Sequence, residues 1–397
     1  MRRARALETE AHSARYQGFG DGNLPFDPVV AGITVALVMF GIIMVYSVSY
    51  PRSQIYEYTG HESAFFVKRQ ALWAATGLAF MFGAALFGRS RLLRWITPFL
   101  LAATVLSLVL VLFFGVEVQG ARRWFRFGPV SFQPSELAKL ATVLFLAWYC
   151  AKYRQRITSV RGLKVPMAVV GLIALLVVVE PDLGTSLMIG AAALVTLAVA
   201  GARPRHLALY AVLALGLVVV LIIAEPYRLN RFREWIWPGY QAQHCLIALG
   251  SGGVFGRGLG ESREKFFYLP AATTDSIFAV IGEELGLIGT LGLAVLFLWL
   301  AERGLRIARR SPDYFLAVAA AGITLTIVLQ GLINMAVATA VIPTTGVPLP
   351  FISLGGSSLV FTLTAIGILL AISRHTRNTQ HVAQPAVRRP RYAPNPN

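Results

Sequence analysis

Asp275 stands in the polar stretch Thr273-Thr274-Asp275-Ser276, directly before an apolar run. A carboxylate there can cap the following helix, or act as a general base where it faces guanidinium groups at a cavity mouth. Glu283 and Glu284 follow two turns later inside the run, where an ionisable side chain must turn toward protein rather than lipid. The segment from Gln133 to Lys139 reads as a helix start, with Pro134 in the first turn and Glu136 near the positive end of the dipole. Lys139 lies three residues further on the same face. A lysine inside a span costs ~2.5–3.5 kcal/mol, so Glu136 is its expected partner. That pair either holds the helix or touches a ligand, and both readings stand. Asp182, just after Pro181 in a short link, reads first as a helix cap.

Basic residues supply the complementary chemistry. Arg69, Arg122, Arg123, Arg231, Arg233 and Lys265 lie in segments between apolar runs, and guanidinium groups suit an anionic ligand. The segment 225–276 also carries Gln241 and His244, then the glycine-rich run Gly250–Gly260 with Ser251, Gly252 and Gly253. Long polar loops are commonly functional. The run lacks the strand and the Gly-Lys-Ser/Thr ending of a nucleotide-binding loop, so its glycines suit close approach of backbone amides to a substrate.

These residues need a frame, and composition dictates one. The chain of 397 residues is 56% hydrophobic and 14% charged, with repeated uninterrupted apolar runs. Such runs cross a hydrocarbon core of ~30 Å as helices, the form that satisfies every backbone group in lipid. The expected fold is all-α: a polytopic membrane domain over 28–374 with spans near 28–49, 71–87, 95–114, 136–151, 165–179, 184–200, 206–224, 277–300, 314–340 and 355–374. Asp27-Pro28 is a cap followed by proline at the first helical position. Residues 1–27 read as a cytoplasmic tail and 375–397 as a disordered cytoplasmic tail rich in proline, arginine and asparagine.

The net charge of +17 is read against the membrane and not against nucleic acid, because Lys and Arg accumulate in cytoplasmic loops. With the N-terminus inside, the inner segments hold 23 basic residues and the outer ones 12, with Lys139 alone inside a span. Both termini are expected in the cytoplasm. The link before the second span, the 120–139 and 180–184 segments, the 225–276 loop and the 342–358 segment then share the outer face. Interfacial anchoring explains any one of their arginines; the cluster favours an anionic ligand. Cys150 and Cys245 fall on opposite faces, so no disulfide framework is expected.

The motifs together resemble the SEDS (shape, elongation, division and sporulation) family of peptidoglycan glycosyltransferases, and look most like its cell-division branch, FtsW. The stretches that carry the resemblance are 120–124, 133–139, 180–186, 247–253, 273–286 and 348–358, in order across the membrane region. Departures stand at Thr273, where histidine is usual, at Ser276 for phenylalanine and at Leu354 for tyrosine. The resemblance implies ten helices, with Asp275 as the essential catalytic residue of a lipid II polymerase in the bacterial cytoplasmic membrane, at the septum. It also implies a class B penicillin-binding transpeptidase and other division proteins as partners, beside membrane lipid and without nucleic acid.

On that reading Asp275 deprotonates the acceptor hydroxyl, and Arg69, Arg122, Arg123, Lys139 and Lys265 hold the donor diphosphate. Glu136, Asp182, Gln241, Ser251, Gly252, Gly253, Thr274, Glu283, Ser353 and Ser357 complete the candidate substrate contacts. No ligand cluster for a resident metal is evident, and Mg²⁺ or Mn²⁺ would enter through substrate oxygens. A lipid II flippase is the competing class; it wants polar groups at midplane or on both faces, whereas here they are skewed outward.

Overall fold

The computed structural model describes residues 26–383 apart from 56, 89, 119 and 129. Arg2, Arg3, Arg5, Arg15 and Arg89 of the charge count, and the chain beyond 383, lie outside the described residues. Twelve helices are described: α1 (Pro28–Ile55), α2 (Phe65–Phe87), α3 (Ser90–Phe114), α4 (Pro134–Lys152), α5 (Val160–Val179), α6 (Leu183–Val199), α7 (Pro204–Ala224), α8 (Pro226–Ile236), α9 (Tyr240–Gly252), α10 (Ile277–Arg310), α11 (Tyr314–Ala338) and α12 (Gly356–Ala383).

Each of the ten expected spans is a helix. Eight are long and apolar enough to cross a membrane: α1, α2, α3, α5, α7, α10, α11 and the Gly356–Thr376 part of α12. The other two are α6, 17 residues long, and α4, which carries Glu136 and Lys139. Burial explains how α4 keeps those charges: nearly all its residues are enclosed by protein, so they never meet lipid. In contrast α7 buries only His206 and shows apolar side chains all round, the pattern of a helix solvated by lipid.

Local chemistry sets the helix starts. Asp27 Oδ1 accepts from the backbone N–H groups of Val29 (2.9 Å) and Val30 (3.2 Å), the cap expected there. Ser159 accepts from Gly162 N–H at the head of α5. Proline opens α1, α4, α7 and α8, where a missing N–H costs nothing.

Three features correct the sequence expectation. The segment between α3 and α4 is a small antiparallel sheet, β1 (Val116–Val118), β2 (Ala121–Phe127) and β3 (Val130–Phe132), in order β1-β2-β3. Its turns hold Gly120 and Gly128 at positive φ, and seven residues of β2 are too few to stand out against a helical background. The 225–276 loop contains α8 and α9. Finally, α12 continues past the expected end at 374, because no proline stops it before Pro385.

Helix α10 is broken at Gly286 (φ 66°, ψ −163°). The segment after α9 lies against this break and repairs its backbone hydrogen bonds. Arg257 and Gly258 N–H groups donate to the carbonyls of Glu283 and Glu284, and Leu287 and Ile288 N–H groups donate to those of Gly253 and Val254. A Cβ on Gly286 would stand 2.3 Å from Gly256 N and 2.5 Å from Val254 O, at a φ that side chains avoid. Gly286→Ala is therefore expected to destabilise the protein by ~3 kcal/mol or more, read as a lowered melting temperature in detergent, with Gly292→Ala as the neutral control in open space.

Candidate active site

The segments expected on one face do meet at one end of the bundle. Arg123, on β2, donates through Nε to the carbonyl of Glu180 (2.8 Å) and through its other nitrogen to that of Pro181, tying the sheet to the α5–α6 turn. Asp182 caps α6, accepting from Thr185 N–H (3.0 Å) and Thr185 Oγ1 (2.9 Å), as its position suggested. Gln133 Nε2 reaches Asp182 Oδ2 at 3.5 Å. The 343–355 segment crosses the same region. Its Thr345 carbonyl lies 2.0 Å from where a Cβ on Gly184 would be, so only glycine permits the crossing.

Asp275 is at the centre. It is not the cap of α10: the residue at that position is Ser276, which makes no capping bond. The turn bearing Asp275 is held through its backbone. Asn334 Nδ2, from α11, donates to the carbonyls of Asp275 and Val347, both at 2.9 Å. Ser353 Oγ donates to the Thr274 carbonyl (2.6 Å) while accepting from Leu349 N–H (2.8 Å), and Leu354 N–H donates to the Thr273 carbonyl (2.9 Å). Thus Thr273 and Leu354, two of the unusual residues, are joined main chain to main chain. Gln241 Nε2 of α9 donates to Ser276 Oγ at 3.0 Å, and Thr274 Oγ1 turns back to the Ala271 carbonyl.

With its backbone fixed, the Asp275 carboxyl points toward Gly346, where a Cβ would be 3.7 Å from Oδ2. Burial is the main influence on it and raises its pKa to about 6; Arg231 pulls downward, Asp182 pushes upward, and Thr274 and Arg123 pull downward. Glu180 is fully buried, neither carboxyl oxygen has a hydrogen-bond partner, and burial with the nearby Asp182 raises it to about 8.

The remaining candidates divide into three groups. Glu136 and Lys139 form a buried pair (2.8 Å), and Lys139 also donates to Gln330 Oε1 (2.8 Å), whose Nε2 donates to the Pro348 carbonyl (2.9 Å). This pair supports the 343–355 segment from below. Ser357 does so from the side, donating to the Ser131 carbonyl and accepting from Gln133 N–H. Arg69 and Arg122 lie at exposed positions on the rim. Arg122 faces Glu117 across the sheet at 3.6 Å, and Arg69 precedes Gln70, whose Nε2 donates to the Ser353 carbonyl.

The third group is not at the cleft. Lys265 is buried on Glu284 (3.0 Å), Ser47 and the Gly260 carbonyl. Glu283 accepts from Ser262 Oγ and from the N–H groups of Arg263 and Glu264. Gly252 packs on the Gly282 carbonyl, Gly253 serves the α10 break, and Ser251 bonds within its own helix. At Gly252 and Gly256 the glycine run approaches the α10 backbone closely. Asn334, Gln330 and Glu180 were missed by sequence reasoning; an amide inside the apolar α11 run was the available signal.

Against known proteins, the family described as cell cycle protein FtsW/RodA/SpoVE matches residues 29–378. The chain belongs to this family. It is 40% identical to stage V sporulation protein E of Bacillus subtilis over 361 residues, covering 88% of this chain and 98% of the relative. It is 38% identical to a probable peptidoglycan glycosyltransferase FtsW of Geobacter metallireducens, covering 89% and 96%. Among solved structures, a chain of a peptidoglycan synthase complex that coordinates polymerization and crosslinking superposes with TM-score 0.73 at 29% identity, covering 88% of this chain and 98% of that one. The rod shape determining protein RodA of Thermus thermophilus gives 0.65 at 27%, covering 89% and 98%. This FtsW/RodA/SpoVE protein is a multi-pass membrane protein, as its apolar helices require.

Two stability outcomes follow from the buried charges. Lys139→Met strands the Glu136 carboxylate and should cost ~3–5 kcal/mol in denaturant unfolding, most of it recovered by adding Glu136→Leu. Glu180 binds its proton more tightly folded than unfolded, so the stability it gives below pH ~4.5 is lost as pH rises toward about 8. Glu180→Gln should therefore melt above the parent at pH 8 and level with it near pH 4.5.

Proposed function

We propose that this protein is a peptidoglycan glycosyltransferase that polymerises lipid II at the outer face of the cytoplasmic membrane, with Asp275 as general base. The observation that carries this reading is the placing of Asp275: a half-buried carboxyl on a turn pinned by Asn334 and Ser353, with arginines on two sides. Relatives at about this level of identity are named as probable peptidoglycan glycosyltransferases, which supports the same activity here. The outer orientation rests on the excess of basic residues in the alternate segments.

The acceptor sugar's 4-hydroxyl gives its proton to the Asp275 carboxylate as its oxygen bonds to the donor's anomeric carbon. The bond from that carbon to the phosphate oxygen breaks, the polyprenyl diphosphate leaves with the electron pair, and the configuration inverts from α to β. A diphosphate leaves without a strong acid, so one carboxylate suffices. Arg231 and Arg123 face the reacting centre and offset the charge that builds on the diphosphate. Any divalent cation would take its oxygens chiefly from the diphosphate: no three His, Cys, Asp or Glu side chains come together among the described residues.

A pKa of about 6 keeps Asp275 ionised at neutral pH yet more basic than an ordinary aspartate, which suits proton removal. A crosslinking transpeptidase is the expected partner, supported by the likeness to the synthase complex. Septal use in division is supported by the relatives named FtsW, and depletion that gives filaments rather than round cells would bear it out.

Purified protein with labelled lipid II and its transpeptidase partner tests the reading. Asp275→Ala and Asp275→Asn should lower polymerisation ~10²-fold or more. In the parent, kcat/KM should rise with pH through about 6, as the base loses its proton. Arg231→Gln removes a cation that holds this value down and should move the rising limb to higher pH. Normal polymer from Asp275→Ala would sink the assignment.

A further inference from the structure

The small sheet between α3 and α4 ends in a hairpin that the cleft does not use, and register fixes where it goes. Val116, the first residue of β1, pairs with Trp124, so Phe125, Arg126 and Phe127 run on past the start of β1. At ~3.3 Å per residue, the β2–β3 tip reaches ~10 Å back in the direction from which the chain left α3. The β2 strand lies against α3, and Gly115 alone separates α3 from β1. Alternation then sorts the side chains. Arg123, Phe125 and Phe127 share one face of β2, and the pairing of Phe127 with Val130 and of Phe125 with Phe132 carries that face on to β3.

At its root this face is occupied. Arg123 binds the α5–α6 turn, and the Phe132 ring meets Phe361 of α12 at 5.8 Å. Phe125 stacks between Phe132 and Phe127, each at 6.2 Å, which orders the row. At the tip the face is bare: Phe127 is 67% exposed and Val130 45%. Continuity says what covers it. Phe113 and Phe114, at the adjoining end of α3, are exposed as well, on a helix that is itself a membrane span with apolar side chains showing along its length. A polar ligand finds no partner here, since every side chain on the face beyond Arg123 is apolar. On the opposite face Arg126 is exposed. Phenyl rings beside an arginine suit the boundary of a bilayer, rings toward the acyl chains and cation at the headgroup phosphates. The strands meet the other demand of that boundary, because β2 and β3 satisfy each other's main chain.

We infer that the β2–β3 tip is a membrane anchor, with Phe127 and Val130 set into the leaflet on the Asp275 side and Arg126 at its headgroups. The anchor holds β2, and through Arg123 the α5–α6 turn, at a fixed height over the bilayer. It does not depend on the chemistry assigned to Asp275.

The test is spin-label accessibility in the full chain, with nitroxides attached through Phe127→Cys, Val130→Cys and, as the control on β1, the exposed Glu117→Cys; the native Cys150 and Cys245 are buried. The chain is placed in nanodiscs of phosphatidylethanolamine and phosphatidylglycerol. Labels from Phe127→Cys and Val130→Cys should collide with oxygen, which concentrates among acyl chains, several-fold more than with a water-soluble nickel chelate. The Glu117→Cys label should show the reverse preference. Adding Phe127→Asp to the Val130→Cys chain should move its label to the aqueous pattern. If a substitution at Phe127 fails to fold, the Val130→Cys label decides alone. The anchor is overturned if the tip labels prefer the chelate as the Glu117→Cys label does, or if Phe127→Asp leaves the Val130→Cys label among the acyl chains. It is equally overturned if neither reagent reaches the tip labels, which would put protein and not lipid over them.

Discussion

The break in α10 has to be repaired, because a helix interrupted inside a membrane domain leaves backbone groups that lipid cannot satisfy. The repair is protein: the segment following α9 lies in the gap and exchanges four main-chain hydrogen bonds with residues 283–288. Glu283 fastens the next residues of that segment by accepting from Ser262, Arg263 and Glu264, and Glu284 pairs with Lys265 and with Ser47 of α1. The short first half of α10 is thereby locked to α9 and α1. Asp275 stands two residues before that half-helix, so its position depends on this lock.

A second set of buried polar contacts works from the opposite side. Lys139 joins Glu136 to Gln330, Gln330 holds the Pro348 carbonyl, and Asn334 one turn along α11 holds both Val347 and Asp275. Each link satisfies a group that would be costly to leave bare in an apolar interior. The turn bearing Asp275 is therefore gripped through its backbone, leaving the Asp275 side chain to the cleft. Such an arrangement fixes the position of the carboxyl while leaving most of its hydrogen-bonding capacity free, one hydrogen bond coming from Thr274.

The distribution of charge follows the same logic. Two buried lysine–glutamate pairs, Lys139 with Glu136 and Lys265 with Glu284, lie away from the cleft surface, while Asp275, Asp182 and the arginines Arg123 and Arg231 act on one another at the cleft. Burial raises the Asp275 carboxyl and the arginines restrain it, so it stays ionised near neutrality. At Glu180 burial and the neighbouring Asp182 outweigh the downward pull of Arg123, and with no hydrogen bond at its oxygens it holds its proton.

The ten helices, the Asp27 and Asp182 caps, the Glu136 to Lys139 pair and the inward turn of Glu283 and Glu284 were all legible in the chain, because each depends on hydropathy or on spacing within a turn or two. Asp275 was legible as a residue but not as a role, since capping and catalysis ask for the same amino acid at the same place. Tertiary structure puts Ser276 at the cap position and turns Asp275 toward Gly346, which leaves its carboxyl out of the capping role. It also tied Lys265 to Glu284 and packed Gly252 and Gly256 on the α10 backbone, and it brought Asn334, Gln330 and Arg231 to the centre. Those pairings span up to about two hundred residues of chain, as between Lys139 and Gln330. Spacing along one helix carries no information about which distant segment will pack against it.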